Sequence, residues 1–221
     1  MLHKRTLHLG SYDTAAHGWT LAALELTEPD PVTNIVDVPG RIRGSLDLSR
    51  VNTGEPEYTT RTLNATLEIS TGDRLEREVK IADLTNQIHG RQLEVIHPDR
   101  PNHYAVCLLT VTRLYNDHAH GAVEISGTCE PWLYSATETV VPLQATTTER
   151  TVNLLNMGAM PVVPVLLVEG GSVRLTYNGA TREMAAGTYK WPHLFLTPGE
   201  HPVRYTGTGK ITISYQEAVI R

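Results

Sequence analysis

Between Thr59 and Ser70 the chain reads TTRTLNATLEIS, with Leu63, Ala65, Leu67 and Ile69 alternating with polar residues. A period of two puts all four on one side of a strand and predicts a half-buried sheet. The next segment, DRLEREVKIADLTNQIHG, changes period. Ile81, Leu84 and Ile88 recur at helical spacing, Asp73 with Glu76 has the spacing of a capping box, and Gly90 can close the helix. We expect one helix, about 74–89, covering one sheet face. RQLEVIH, the turn PDRPN and HYAVCLLTVTRLY follow. Apolar residues on both sides of the last run predict a strand buried on both faces. NDHAHG then turns the chain into AVEISGTCEPW, completing a hairpin. LHKRTLHLG and HGWTLAALELTE near the N-terminus read as short strands.

Two regions depart from this rhythm. Val36 to Leu67, VDVPGRIRGSLDLSRVNTGEPEYTTRTLNATL, holds three glycines, two prolines and few apolar residues before its final strand. It is too polar for a core strand pair, yet Tyr58, Leu63 and Leu67 show that it rejoins a fold. The Thr-rich stretch from Gln144 to Arg150 marks a connection, dividing the chain into 1–145 and 146–221. Beyond it only short strand patterns appear, with turn signals between them. In YNGA, Asn178-Gly179 suits a tight hairpin turn with positive φ at both central positions. Regular short strands of this kind predict an antiparallel sandwich. The fold class is mainly β.

Composition narrows the function. Of 221 residues 40% are hydrophobic and 19% charged, the balance of a globular protein rather than a disordered one. A net charge of −5 argues against tight nucleic-acid binding, which needs a dense basic surface, though not against transient passage of DNA. The N-terminus lacks the apolar core of a secretory signal, and no run of about 18 apolar residues could span a membrane. Cys107 and Cys129 lie on the two strands joined by NDHAHG. A one-step offset would point them to opposite faces, so two buried, unpaired and reduced thiols are expected, in a chain made in a cytosol.

Enzyme motifs are absent: there is no HExxH, GxSxG, phosphate loop or paired CxxC. GTGKIT lacks the spacer of a phosphate loop. His118 and His120 with Asp117 could approach a divalent metal, but no third distal ligand is implied and a solvated turn is the simpler reading. His89, His97 and His103 fall around turns. Tyr177, Tyr189, Trp191, Tyr205 and Tyr215 belong to sandwich strands, where aromatics mostly fill the core. Tyr189 and Trp191 are the candidate platform for a stacked sugar. No catalytic residue, metal site or cofactor is expected.

Three stretches carry a resemblance. IVDVPGRIRGSLDLSRVNTGEPEYTTRTLNATLEI, with its PGxxGxLDLS-like run followed by Tyr58 and Arg61, resembles the distal tail proteins of long-tailed (siphovirus-type) bacteriophages. IHGRQLEVIHPDRPNHYAVCLLTVTRLYNDHAHGAVEISGTCEPWLY resembles the same family's helix end and closing strands. GTYKWPHLFLTPGEHPVRYTGTGKITISYQEAVI is similar to its second domain. The resemblance implies an N-terminal β-sandwich with one helix and a long hairpin arm (about 36–60), followed by a galectin-like C-terminal sandwich. It also implies a structural adaptor, not an enzyme: a ring, usually of six copies, at the virion's tail tip. That ring joins the tail tube protein to the tail hub or tail-associated lysin and leaves a lumen for DNA, without membrane insertion. Pro39, Gly40 and Gly44 would shape the arm's turns. Leu46, Leu48 and Val51 would pack on the adjacent copy, and Tyr58 and Arg61 would anchor the return strand. The alternative is a carbohydrate-binding module acting through the C-terminal sandwich. Ile42-Arg43 stand where many members carry acids, and the C-terminal region leaves no room for an inserted carbohydrate-binding module. A ring of such acidic chains, with part of that charge facing the lumen, would repel the DNA backbone.

Overall fold

The computed structural model describes residues 6–36, 46–49, 56–70, 72–117 and 119–221. The chain forms two compact units, 1–133 with 220–221, and 134–219. The 145/146 boundary drawn from composition falls after a strand that pairs inside the second unit, whereas the units part before it.

In the first unit the elements are β1 (His8–Leu9), β2 (Tyr12–Asp13), β3 (Thr20–Leu26), β4 (Ile35–Val36), β5 (Leu46–Asp47), β6 (Arg61–Ile69), α1 (Arg74–Ile88), β7 (Gln92–Ile96), β8 (His103–Asn116) and β9 (Gly121–Ser135), whose last two residues enter the second unit. One antiparallel sheet runs β2-β1-β7-β8-β9-β6-β3, and β4 and β5 pair separately as a ribbon. The alternation in β6 is realised: Leu63, Ala65, Leu67 and Ile69 are all buried. α1 closes that face. Asp73 Oδ1 accepts the Glu76 N–H at 2.8 Å, satisfying one of the orphan donors of the first turn. Ile81, Leu84 and Ile88 supply the buried stripe, and Gly90, at φ 72°, turns the chain out. Gly127 stands on the covered face, where a Cβ would lie 2.7 Å from Leu109. A larger residue there would push the strand away from its neighbours.

Two expectations for this hairpin need correction. β8 is buried on one side only: Leu108, between the buried Cys107 and Leu109, is 52% exposed, because α1 covers a single face of the sheet. The cysteines are not free thiols either. Cys107 and Cys129 form a disulfide, both buried beneath the helix side of the sheet. At the turn Asp117 N–H donates to the His120 carbonyl, and counting back from there places Cys107 opposite Glu130. The disulfide joins Cys107 to Cys129 instead, so the register shifts by one residue along the hairpin. That shift brings both side chains to the same face.

The second unit contains β10 (Thr139–Gln144), β11 (Arg150–Asn156), β12 (Val165–Glu169), β13 (Val173–Tyr177), β14 (Ala180–Met184), β15 (Gly187–Lys190), β16 (Gly199–Gly207), β17 (Lys210–Tyr215) and β18 (Ala218–Val219). Its two antiparallel sheets run β10-β17-β12-β15 and β11-β16-β13-β14. Leu154, Leu166, Leu175, Val203, Ile211 and Ile213 are buried in the core they share. The β13–β14 turn forms at Asn178 and Gly179, with φ of 48° and 81°, as the Asn-Gly pair predicts.

Candidate functional site

Three features of the first unit invite a functional reading: the ribbon, the contacts at its base, and the sheet face that α1 leaves open. Beyond Pro31 the ribbon departs from the body. Pro31 bridges Tyr58, Val32 N–H donates to the Glu57 carbonyl at 2.8 Å, and Thr59 N–H donates to the Asp30 carbonyl at 2.9 Å. Farther out Ile35 pairs with Asp47 and Val36 with Leu46, while Leu48 N–H donates to the Asn34 carbonyl. Val32, Ile35 and Val36 are 41%, 62% and 40% exposed. An isolated two-stranded ribbon is marginal in water, and exposing three branched apolar residues on it adds a hydration cost. Of the arm residues singled out by sequence, Leu46 and Leu48 fall in this ribbon and at its end. Pro39, Gly40, Gly44 and Val51 lie outside the described residues.

Tyr58 and Arg61 sit at its base. The Tyr58 ring meets Trp132 edge-on at 5.5 Å between centroids, a favoured aromatic geometry. Arg61 is 2% exposed. Its Nε donates to the Pro131 carbonyl at 2.7 Å and one terminal nitrogen to the Thr27 carbonyl at 3.2 Å. The other terminal nitrogen donates to the Ile220 carbonyl. One guanidinium thus ties β3's exit, β9 and the chain's last residues together. Burial, reinforced by the Arg100 charge and opposed by Glu28, lowers its pKa from the ordinary arginine value. Arg77, also buried, does the same at the sheet's other end. It donates to Asn116 Oδ1 and to the carbonyls of Gly72 and Asp117. Sequence periodicity did not flag Arg77 as a core residue, although it lies one turn before Ile81 on the same stripe.

The open face is built by register. On β6, Thr62, Asn64, Thr66 and Glu68 oppose Thr128, Ser126, Glu124 and Ala122 of β9. On β3, Thr20, Ala23 and Glu25 oppose Glu68, Thr66 and Asn64. On the other flank Gln92 and Glu94 of β7 oppose Leu108 and Val106 of β8. Glu25, Glu68, Glu94 and Glu124 therefore stand on one side of five adjacent strands. Among the described residues of that stretch no Lys, Arg or His joins them. Arg113 turns to the helix side, where it holds Glu78 at 2.7 Å. His8, opposite Ile96, stands at the sheet's margin. At the turn end, desolvation and then the Glu68 and Asp117 charges raise the Tyr115 phenol above its ordinary range. The signal for this face lies in the polar half of each alternation, whereas the core is read from the apolar half.

The remaining candidates are placed as follows. His118 lies outside the described residues. Asp117 Oδ1 accepts the N–H groups of Ala119 and His120, which hold its carboxyl below the usual range, so this oxygen is occupied in shaping the turn. Among the described residues no three His, Cys, Asp or Glu side chains gather as a metal site. Trp191 is 4% exposed within the sandwich core, and Tyr189 packs half-buried against that core with Arg182 over its ring at 5.5 Å. A stacked sugar needs an exposed ring face, so the expected platform requires correction: Trp191 offers none. Tyr177, Tyr205 and Tyr215 are likewise buried.

No protein-family model matches the chain, and no curated protein matches it by sequence. Among solved structures it is similar to the crystal structure of the SPP1 Dit (gp 19.1) protein, with a TM-score of 0.67. The likeness covers 96% of this chain and 98% of that one at 13% identity. The chain has the Dit fold. SPP1 Dit is a paradigm of the hub adsorption apparatus in phages infecting Gram-positive bacteria. The Dit fold accounts for both units of this chain, because so little of either lies outside the matched length.

Proposed function

We propose that this protein is a structural component of a phage tail tip, a ring-forming adaptor built from heterologous contacts between identical chains. Six copies is the number that the family resemblance implies. The ring joins the tail tube to the tail hub or tail-associated lysin in the virion and leaves a lumen through which DNA passes. The single observation that carries this reading is the acidic open face on a Dit fold. Four carboxylates on a face where no described residue is a cation repel one another, and a folded domain gains no stability from that arrangement. They suit a wall past which a polyanion must slide without sticking. The ribbon fits the same reading, since its exposed apolar residues call for cover from another copy. Burial of Trp191 weighs against the carbohydrate-binding alternative.

Light scattering on the purified chain, repeated after deletion of residues 38–57, tests the ring. We expect a mass of about six chains that falls toward one on deletion, because a heterologous contact closes a ring only when both patches are present. A chain that stays monomeric together with its tube and hub partners would overturn the reading.

A further inference from the structure

A heterologous contact needs two different patches on one chain, and the ribbon is only one of them. We propose that the second is the outer face of α1 near its N-terminus, which receives the ribbon of an adjacent copy. This inference rests on the ring reading and adds to it the address at which the ribbon docks.

Leu75 and Val79 stand four residues apart, on one side of α1, at 72% and 63% exposure. No other large hydrophobic residue described in the first unit is as exposed as Leu75. Both point away from the stripe of Arg77, Ile81, Leu84 and Ile88 that holds the helix on the sheet, so they contribute nothing to that packing. Helix surfaces of this length favour charged or amide residues there, and Leu with Val on the solvent side is costly unless covered. Beside them runs a shallow groove lined by Arg74, Leu75, Glu78 and Arg113. Its floor is cross-braced. Arg113 grips Glu78 with both terminal nitrogens at 2.7 Å, and Asn116 Nδ2 donates to the same carboxylate at 2.7 Å. The Asn116 hydrogen bond above all, with the Arg113 and Arg74 charges, holds the Glu78 carboxyl below its usual range.

The ribbon matches this surface in three respects. Val32, Ile35 and Val36 are apolar where Leu75 and Val79 are apolar. Val32 to Val36 carry no charge, so nothing ionic is stranded over the apolar strip. At the ribbon's base the exposed acids Asp30 and Glu57 would meet Arg74, the cation of the groove that Glu78 does not grip, beside the helix's own first-turn acids Asp73 and Glu76. The acidic open face is excluded as a receiver for the same reason in reverse: like charges would oppose each other there. An occupant from the same chain type also satisfies the ring's arithmetic, because each copy would offer one ribbon and one helix face.

Cysteine cross-linking between two differently tagged chains tests the address. One chain carries Ile35→Cys and the other Leu75→Cys; both positions are exposed, so each variant should fold and melt like the parent. On co-assembly and mild oxidation we expect a disulfide-linked heterodimer that forms only when both variants are present. In parallel, Leu75→Asp and Val79→Asp should each raise the concentration at half-assembly by about tenfold, equivalent to about 1.4 kcal/mol. A ring that assembles normally with no cross-link and no response to Leu75→Asp would overturn the docking address while leaving the ring reading intact. So would preferential linkage of Ile35→Cys to Leu167→Cys, placed on the exposed face of the second unit. A chain that never assembles removes the ring and this address together.

Discussion

The two units solve the same problem, burying a β-sheet, in different ways. In the second, two four-stranded sheets cover each other, and outward charges are matched: Arg174 pairs with Glu183 at 3.0 Å and Arg204 with Glu149 at 3.1 Å. In the first, one sheet is closed by a single helix, and polar staples do what a second sheet would otherwise do. Arg61 and Arg77 satisfy six backbone and side-chain acceptors between them, and a disulfide ties β8 to β9. The open face of that sheet then carries acids without a cation among its described residues. Charge that serves stability can thus be told from charge that does not. Ion pairs across neighbouring strands on a solvated face are ordinary surface chemistry. Several carboxylates gathered on a face where no described residue is a cation do not stabilise the sheet.

The staples should matter most. Arg61→Met strands three carbonyls and removes a buried hydrogen-bonded cation, and we expect a loss of about 3 kcal/mol in the first unit. Replacing Cys107 and Cys129 by Ala, which opens the loop they close, should cost about 3 kcal/mol by the chain-entropy argument. Denaturant unfolding followed at Trp19 and Trp132 for the first unit, and at Trp191 for the second, reads both. Equal losses in the two units would erase the contrast between them.

Charge reversal comes next. Glu25→Lys, Glu68→Lys and Glu124→Lys together should turn a chain with no measurable affinity for duplex DNA into one that binds at low salt. The salt slope should approach three counterions, by the rule of about one released per neutralised phosphate. Fluorescence anisotropy across a salt series measures it. Binding by the unmodified chain at the same salt would remove the case for an acid-lined passage.

Least is expected of the matched pairs. Arg204→Ala or Arg174→Ala should change the second unit's stability by only about 0.2–1 kcal/mol, the range of exposed ion pairs, and less as salt rises. A larger loss in thermal or denaturant unfolding would mean that these pairs are structural, and that the two faces differ less than their composition suggests.

Local order is legible in the sequence. The alternation of β6, the capped helix with its stripe and closing Gly90, and the Asn178-Gly179 turn all depend on residues a few positions apart. Backbone geometry and side-chain periodicity fix such features almost independently of context. Long-range closure is another matter. The pairing of the cysteines depends on the register of β8 against β9, since a shift of one residue moves a side chain to the other face. Arg61 meets Ile220 across 159 positions, a contact no local pattern announces. The acidic face needs five strands brought side by side, four of which contribute a single glutamate that looks ordinary alone. That β6 and α1 form, and which side of each is apolar, follows from the chain itself. What the polar sides have in common follows only from the assembled sheet, because charges add up across strands only after those strands have been set next to one another.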